Sequence, residues 1–540
     1  MKKQIYNITL AVLMACLGGL TSCVNDLDVL PIDPDELHPG NVGQSPENYS
    51  FMLNKLYAGY ATVGQEGSSG NADLGGLDAG ASQYMRRLWD AEELPTDEAI
   101  NAWNDGNLNA FNYASWTITN EFNTIFFDRI YFQVAQSNEF IRIMSALEPT
   151  EDLPASEIAR YIDEARFIRA LSYWHGLNYY GNGIPKVTEE NTVGGDRPLP
   201  WGTWDGSELF DYLKSELEYL TSNESALKEM GTAYFGYADK GAAAMLLGKL
   251  CLNNEVYLGT DNNNAGEYYA VAEEALQSLV NGGYSLTTTD YTNVTAYQSL
   301  FAGDNQLQKN EIIFGISYDG AAIQTYGGTT YLMLSSVGGD MKSSDINMNG
   351  NWGGNRTTGA LYDLFESGDS RRNYFFTGHE KEINNPSLFT DGYGVMKFTN
   401  VRTESMDRND PNGGFADTNF PMFRLADAYL MLAEAELRQG KAVSGTAESG
   451  IAAIRERADL SAPASIDLDF ILDERGRELY WEAHRRTDLV RFGKFTSGEY
   501  VWPWKGNVKD GAEIDAKYRV FPIPSTAINN NSNLVRTPGY

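Results

Sequence analysis

Four histidines, three cysteines and 73 acidic residues are the groups with which this 540-residue chain could do acid–base, thiol or metal chemistry. The histidines, His38, His175, His379 and His484, are too widely spaced for two to share one helix face. Neither a paired zinc-ligand motif nor a histidine-based triad is supported. Gly315, Ile316, Ser317 and Tyr318 begin like a nucleophile elbow, but Asp319 stands where the second glycine belongs, so the segment reads as a strand end. Gly248, Lys249 and Leu250 lack both the upstream glycine and the following Ser or Thr of a phosphate loop, which leaves Gly248 as a packing glycine. Asp261, Asn263 and Gly266 imitate a calcium loop, yet Ala265 and Ala272 occupy positions five and twelve, where oxygen ligands are required. Paired carboxylates for glycoside hydrolysis stay open, because the fold and not sequence spacing sets their separation.

The chain is richer in groups that bind than in groups that react: it has 24 Phe, 10 Trp and 32 Tyr. Aromatics among polar, glycine-rich segments suit sugars, whose C–H faces stack on Trp or Tyr while Asn, Asp and Arg meet the hydroxyls. Two such stretches stand out, about 63–116 and 282–420. The first holds Trp89 and Trp103, with Trp116 at its end, and the second holds Tyr326, Tyr331 and Trp352. Tyr173, Trp174 and Tyr179 follow helical spacing and read as core.

Around these stretches the apolar pattern is helical. Segments are expected over 121–147 and 156–180, then 208–220, 239–258 and 268–280, then 423–438, 447–458 and 470–486. Pro154 opens the second, and glycines punctuate the ends. Successive hairpins of this length, with Ala at close-packing positions, predict an all-α fold, a tetratricopeptide-like helical-hairpin solenoid of degenerate units. The two glycine-rich stretches become long, loop-rich and partly β insertions, with Ile312–Ser317 strand-like, and insertions of that length are usually functional. Arg475, Arg485 and Glu478 read first as ion pairs of the scaffold. Cys251, in an apolar helical run, reads as a small buried hydrophobe.

Lys2 and Lys3, the apolar run from Ile8 to Leu20, and Leu20, Thr21, Ser22 before Cys23 make a bacterial lipoprotein signal, too short to span a bilayer. Cleavage would leave Cys23 as an acylated first residue. Without residues 1–22, which hold two lysines and no acids, the chain has 39 basic and 73 acidic residues, a balance of −34. Such a charge repels nucleic acid and anionic lipid. Five acids and three prolines between Asp26 and Pro39 describe a polar tether. The expected organisation is a signal at 1–22, a lipidated acidic tether at 23–45 and one domain at 46–540, with helical scaffold at about 120–281 and 421–495.

Particular segments resemble the RagB/SusD family of outer-membrane nutrient-binding lipoproteins. They are Arg424 to Ala435, Glu474 to Leu479 with Glu482 and Arg485 to Gly493, Ala165 to Ala170 with Tyr180 and Gly181, Phe521 to Pro524, and Pro538 to Tyr540. The resemblance spans nearly all of the mature chain. It implies a non-catalytic, cell-surface glycan-binding lipoprotein; no cofactor is expected and no metal-ligating residue is assigned, while a structural calcium stays open. It also implies docking on a SusC-type TonB-dependent transporter, and the acids after Cys23 resemble the signal for export to the outer face of the outer membrane. The loops are similar to those of the family's starch-binding member, which places Trp103, Tyr326 and Trp352 on an aromatic arc for α-glucan and Asp78 and Arg86 at polar positions beside it. Asn101 and Gly106 depart from that pattern, standing in place of an arc tryptophan and an asparagine. Another glycan (β-glucan, fructan or xylan), a surface glycoside hydrolase and a pure protein-interaction solenoid are the alternatives.

Overall fold

The computed structural model describes residues 46–191 and 195–540; the signal, Cys23 and the tether lie outside the described residues. Two units are distinguished, 1–52 and 53–540; of the first, only Pro46–Met52 is described, as the opening turns of a helix that runs to Ala58. The second unit carries everything below.

Its scaffold is a succession of helices, each packed on the next. α1 (Tyr84–Glu93) precedes them, and α2 (Glu121–Ser145) pairs with α3 (Ala155–Tyr180), which packs on α4 (Glu208–Thr221). α5 (Lys240–Leu252) lies between α4 and α6 (Ala265–Val280). Sequence chemistry fixes the ends: Asn120 accepts the Asn123 amide at 2.9 Å to cap α2, and Pro154 opens α3. Every residue of α5 is buried, as an apolar helix inside a stack must be. A β-carbon on Gly248 would stand 2.9 Å from Leu276, so glycine lets α5 and α6 approach, in keeping with its reading as a packing residue. Cys251 is also buried, and burial pushes its thiol up to about 12.

The chain then leaves the stack for some 140 residues and returns beside the point of departure. α7 (Gly328–Ser335) lies within this excursion, while α8 (Leu425–Arg438), at its end, packs directly on α6. α9 (Gly445–Arg457) and α10 (Leu468–Leu479) both pack on α8. Among the described residues six strands form three antiparallel pairs: β1 (Ile100–Asn101) with β3 (Asn355–Arg356), β2 (Ile312–Ile316) with β6 (Phe420–Arg424), and β4 (Phe375–Phe376) with β5 (Gly394–Val395). This is the helical-hairpin solenoid with partly β insertions that the periodicity predicts.

Three helix boundaries differ from the sequence reading. Phe423 is not helical; it lies in the fully buried β6, which ladders with β2 and carries Pro421. The run 239–258 breaks at Asn253, whose side-chain amide donates to the Lys249 carbonyl at 2.8 Å. The run 470–486 ends at Leu479 and resumes as α11 (Arg485–Arg491), because Trp481 and Ala483 take positive φ values of 65° and 61°. That turn is fixed from the first insertion: the Trp481 amide donates to Glu98 at 2.8 Å and the Ala483 amide to Glu93 at 2.6 Å.

A buried ionic network joins the excursion to the C-terminal helices. Arg371 meets Asp369, Glu474 and Glu478; Arg424 meets Glu311, Glu478 and Glu482; Arg457 meets Glu311 and Glu478. Arg475 pairs with Asp427 and Asp488, and Arg485 with Asp97. Arg475, Arg485 and Glu478 are thus buried ion-pair residues of the scaffold. Removing one partner of such a set costs about 3–5 kcal/mol, because the charge left behind is desolvated and unpaired.

Candidate functional site: an aromatic arc

The site is assembled at the N-terminus of α1. Gln83, fully buried, caps this helix by accepting the Arg86 amide at 2.7 Å, and the same oxygen accepts the Gly328 amide at 3.1 Å. Its amide nitrogen donates to the Tyr60 and Ala61 carbonyls and to the Tyr318 hydroxyl. One side chain therefore locks the starts of α1 and α7 together, and with them Arg86 and the Tyr326 loop.

Arg86 is 9% exposed, with its guanidinium 4.1 Å over the Tyr331 ring and 5.7 Å from the Trp103 ring. It makes no ion pair among the described residues; Nη1 reaches the Tyr326 carbonyl only at 3.5 Å, and Nε has no partner. A cation held by ring faces, with donors to spare, can serve the hydroxyls of a ligand laid on those rings. Tyr331 is turned inward and donates to Asp90 at 2.8 Å. Burial raises the Asp90 carboxyl above its ordinary value, against the pull of Arg87 and Arg86.

Four rings follow one another across the surface. Trp103 and Trp352 are 6.5 Å apart at 47°, Trp352 and Tyr326 6.0 Å at 57°, and Tyr326 and Phe415 4.9 Å at 39°. Tyr326 is exposed and the other three are half-buried. Each ring is tilted against the next, so the four do not form one flat face.

Each ring is held by polar groups of the chain. The Trp103 indole N–H donates to the Trp352 carbonyl at 3.0 Å, and the Trp103 amide donates to Asn101 Oδ1 at 2.7 Å. The Asn101 amide donates in turn to Asn355 at 2.6 Å across the β1–β3 pair. Asn101 is therefore buried beneath the arc as its support. Gly354 is required by close approach, since a β-carbon there would lie 2.6 Å from the Trp103 indole. Asp410 accepts the Gly414 and Phe415 amides at 2.7 and 3.1 Å and so sets the last ring.

Asp78 is exposed in the turn before α1, where its Oδ1 accepts the Ala81 amide at 2.9 Å; its Oδ2 has no protein partner among the described residues. That turn abuts the arc, since a β-carbon on Gly80 would lie 2.7 Å from the Tyr326 β-carbon. Gly106 is exposed with open space beside it, at the start of a short helix capped by Asp105. The structure thus brings Trp103, Tyr326 and Trp352 together, with Arg86 beneath them and the Asp78 turn alongside.

Three aromatics expected in the loops are core instead. Trp89 lies in α1 and donates to the Trp481 carbonyl at 3.1 Å, Trp116 donates to the Tyr540 hydroxyl at 2.7 Å, and Tyr331 is fully buried. Their polar atoms find internal partners, which lets burial win. Two residues escaped the sequence reading: Gln83, which carries no local signal, and Phe415, which follows the turn-forming Pro411, Asn412, Gly413 and Gly414.

His175 is buried against the Tyr84 hydroxyl, and burial pulls it down to about 3, so it is neutral at ordinary pH. Among the described residues no group of three or more His, Cys, Asp or Glu could hold a metal ion, and Asp261 to Asn264 lie in a loop joining two helices. Glu93 and Glu98 are a close carboxylate pair, but both are buried under the Trp481 turn.

Comparison with known proteins identifies the fold and the family. The model of the SusD family matches residues 363–540. The whole chain aligns at 31% identity with the starch-binding protein SusD of Bacteroides thetaiotaomicron, covering 100% of this chain and 99% of that protein. A SusD-like protein of Bacteroides ovatus is 24% identical over 65% of this chain and 63% of its own length. Among solved structures, surface glycan-binding protein A from Bacteroides fluxus superposes with a TM-score of 0.68 at 18% identity, covering 92% of this chain and 100% of that one. The protein of that name from Bacteroides thetaiotaomicron, in complex with laminarihexaose, gives a TM-score of 0.67 at 17% identity, covering 91% and 99%. These structural likenesses carry the fold, and the full-length sequence identity carries the family: the chain belongs to the SusD family.

Proposed function

We propose that this protein is a non-catalytic glycan-binding lipoprotein of the cell surface that captures starch or a related α-glucan and passes it to a SusC-type TonB-dependent transporter. The observation that carries the reading is the row of mutually tilted rings of Trp103, Trp352, Tyr326 and Phe415 over Arg86, which makes no ion pair among the described residues. A helical α-glucan curls and presents successive sugar faces at changing angles, which suits tilted rings, while Arg86 and Asp78 serve hydroxyls. The relative aligned over the full length is named for starch binding.

In this reading Cys23 carries the lipid, 23–45 form the tether, 46–540 are one domain, and the anchor holds the module on the outer face of the outer membrane beside its transporter. Tethering raises the effective concentration of the binder at the pore without any new contact. No helix among the described residues is long and apolar enough to cross a membrane.

Affinity electrophoresis with and without starch, with laminarin, inulin and xylan in parallel gels, tests the ligand. Retardation by starch alone is expected; equal mobility in all gels refutes glycan binding, and retardation by another glycan moves the specificity to that polymer. Labelling by an azide-bearing fatty acid, lost on Cys23→Ala, tests the anchor, and co-purification with a transporter tests delivery.

A further inference from the structure

A second cleft lies on the excursion, where residues 362–377 meet the end of α9, and it shares no residue with the aromatic arc. It encloses about 560 Å³ and is lined by Tyr362, Ser370, Arg372, Asn373, Thr377 and Asp459. The adjacent arginines differ sharply. Arg371 is buried and saturated by Asp369, Glu474 and Glu478. Arg372 makes no ion pair and no side-chain hydrogen bond among the described residues; its guanidinium lies 4.4 Å from the Tyr362 ring centre.

Asp369, which also lines the cleft, is taken up by Arg371, but the side chains of Ser370, Tyr362 and the exposed Asn373, Thr377 and Asp459 have no protein hydrogen-bond partner among the described residues. The walls are nonetheless fixed. The Ser370 amide donates to the Ala458 carbonyl at 3.1 Å, Asp369 is committed to Arg371, and Tyr362 packs edge-on against Phe375 and Tyr393 at 5.5 and 4.9 Å. Asp459 takes a φ of 60° as the left-handed residue that closes α9, its amide donating to the Glu456 carbonyl at 3.0 Å and the Leu460 amide to that of Arg455 at 2.9 Å.

We propose that this cleft binds a hydroxylated carboxylate of the kind a hexuronic acid presents. The guanidinium fork, flattened on Tyr362, matches a carboxylate in bidentate fashion. Asn373, Ser370 and Thr377 supply partners for ring hydroxyls, and Asp459 at the rim accepts from a hydroxyl remote from the carboxylate. A neutral hexose would leave the guanidinium unmatched.

Calorimetry and saturation-transfer NMR on the full chain with sodium glucuronate test this, with glucose and acetate as controls. Glucuronate is expected to bind, and glucose and acetate each at least about tenfold more weakly, since a hydrogen bond to a charged group carries that much. Arg372→Met should abolish binding and Arg372→Lys, which keeps charge without the fork, should weaken it, while Trp103→Ala leaves it unchanged. Asn373→Ala, on the exposed rim, should also weaken binding and guards against a misfolded arginine variant. A glucuronate-terminated oligosaccharide binding as well as the free acid identifies a glycan source; binding of the free acid alone identifies a sugar-acid source. The proposal fails if glucuronate does not bind, if glucose matches it, or if both Arg372→Met and Asn373→Ala bind as the parent does. Starch binding at the arc is read separately, so either reading can fail alone.

Discussion

Tyr326→Ala is the sharpest perturbation of the arc. Tyr326 is the most exposed of the four rings, at 39%, so truncation leaves little buried void. It is also central, flanked by Trp352 at 6.0 Å and Phe415 at 4.9 Å. Arg86 contacts its backbone carbonyl, which the substitution keeps. The loss is then that of one stacking surface, about 0.5–1.5 kcal/mol, or roughly 2- to 12-fold in Kd. Calorimetric titration with maltoheptaose reads this directly, and thermal unfolding of the variant should stay close to the parent's. The geometry makes a second demand: Tyr326→Ala and Trp352→Ala should be non-additive, because both rings serve one continuous surface. An unchanged Kd in a folded Tyr326→Ala protein would refute the arc as the sugar-contacting surface.

Phe415→Ala should weaken long maltooligosaccharides more than maltotriose, since it removes the end of the row; equal effects on both lengths would take Phe415 out of the site. Gly354→Ala drives a methyl toward the Trp103 indole, 2.6 Å away; a several-fold loss of affinity with a blue-shifted or quenched tryptophan emission is expected. Glu478→Ala leaves Arg371, Arg424 and Arg457 each short of a carboxylate, which should destabilise the fold by about 3–5 kcal/mol in urea titration. Burial pushes Glu98 up to about 7 and raises Glu93, the more so for the facing Glu98 charge, with Arg485 opposing at Glu98. The contribution of Glu98 to stability is full below the unfolded glutamate value near 4.5 and is lost as pH rises to about 7, and that of Glu93 is likewise lost as pH rises. Glu474 and Glu434, held down to about 2 by their arginines against burial, act oppositely and lose their contribution as pH falls from about 4.5 to 2. Unfolding temperatures from pH 3 to 9 should therefore peak in between, and Glu98→Gln should flatten the alkaline side.

The helical scaffold was legible because burial on one face repeats with the helical period, and Pro154 and the closing glycines mark its ends. Boundaries failed where a partner distant in sequence overrides the local pattern. Nothing near Trp481 announces that Glu93 and Glu98 will hold its turn, and nothing near Phe423 announces β2, more than 100 residues earlier. The arc was legible only through resemblance: Trp103, Tyr326 and Trp352 look no different in sequence from Trp89, Trp116 and Tyr331. What separates the two sets is burial: Trp89, Trp116 and Tyr331 are buried, while Trp103 and Trp352 are half-buried and Tyr326 is exposed, a difference set by the tertiary fold. Gln83 was invisible for a related reason, since its meaning lies in bonds to residues 60, 61, 318 and 328.

Those bonds explain how rings borne on irregular backbone form a fixed surface. Loop-borne sites ordinarily lose affinity to the entropy of ordering the side chains that make them. Here Gln83 joins the starts of α1 and α7, Asn101 fastens Trp103 to β3, the Trp352 amide donates to the Leu334 carbonyl at 2.8 Å inside α7, and Asp410 braces Phe415. The excursion is fastened to the helical stack by Arg371, Arg424 and Arg457, with their carboxylates buried. Sugar stacking is weak ring by ring and depends on several rings acting together, so a row that must be assembled on binding would gain little. The buried charges and amides beneath the arc fix the tilts of its rings in advance, so on the proposed reading they would count toward binding as much as the rings do.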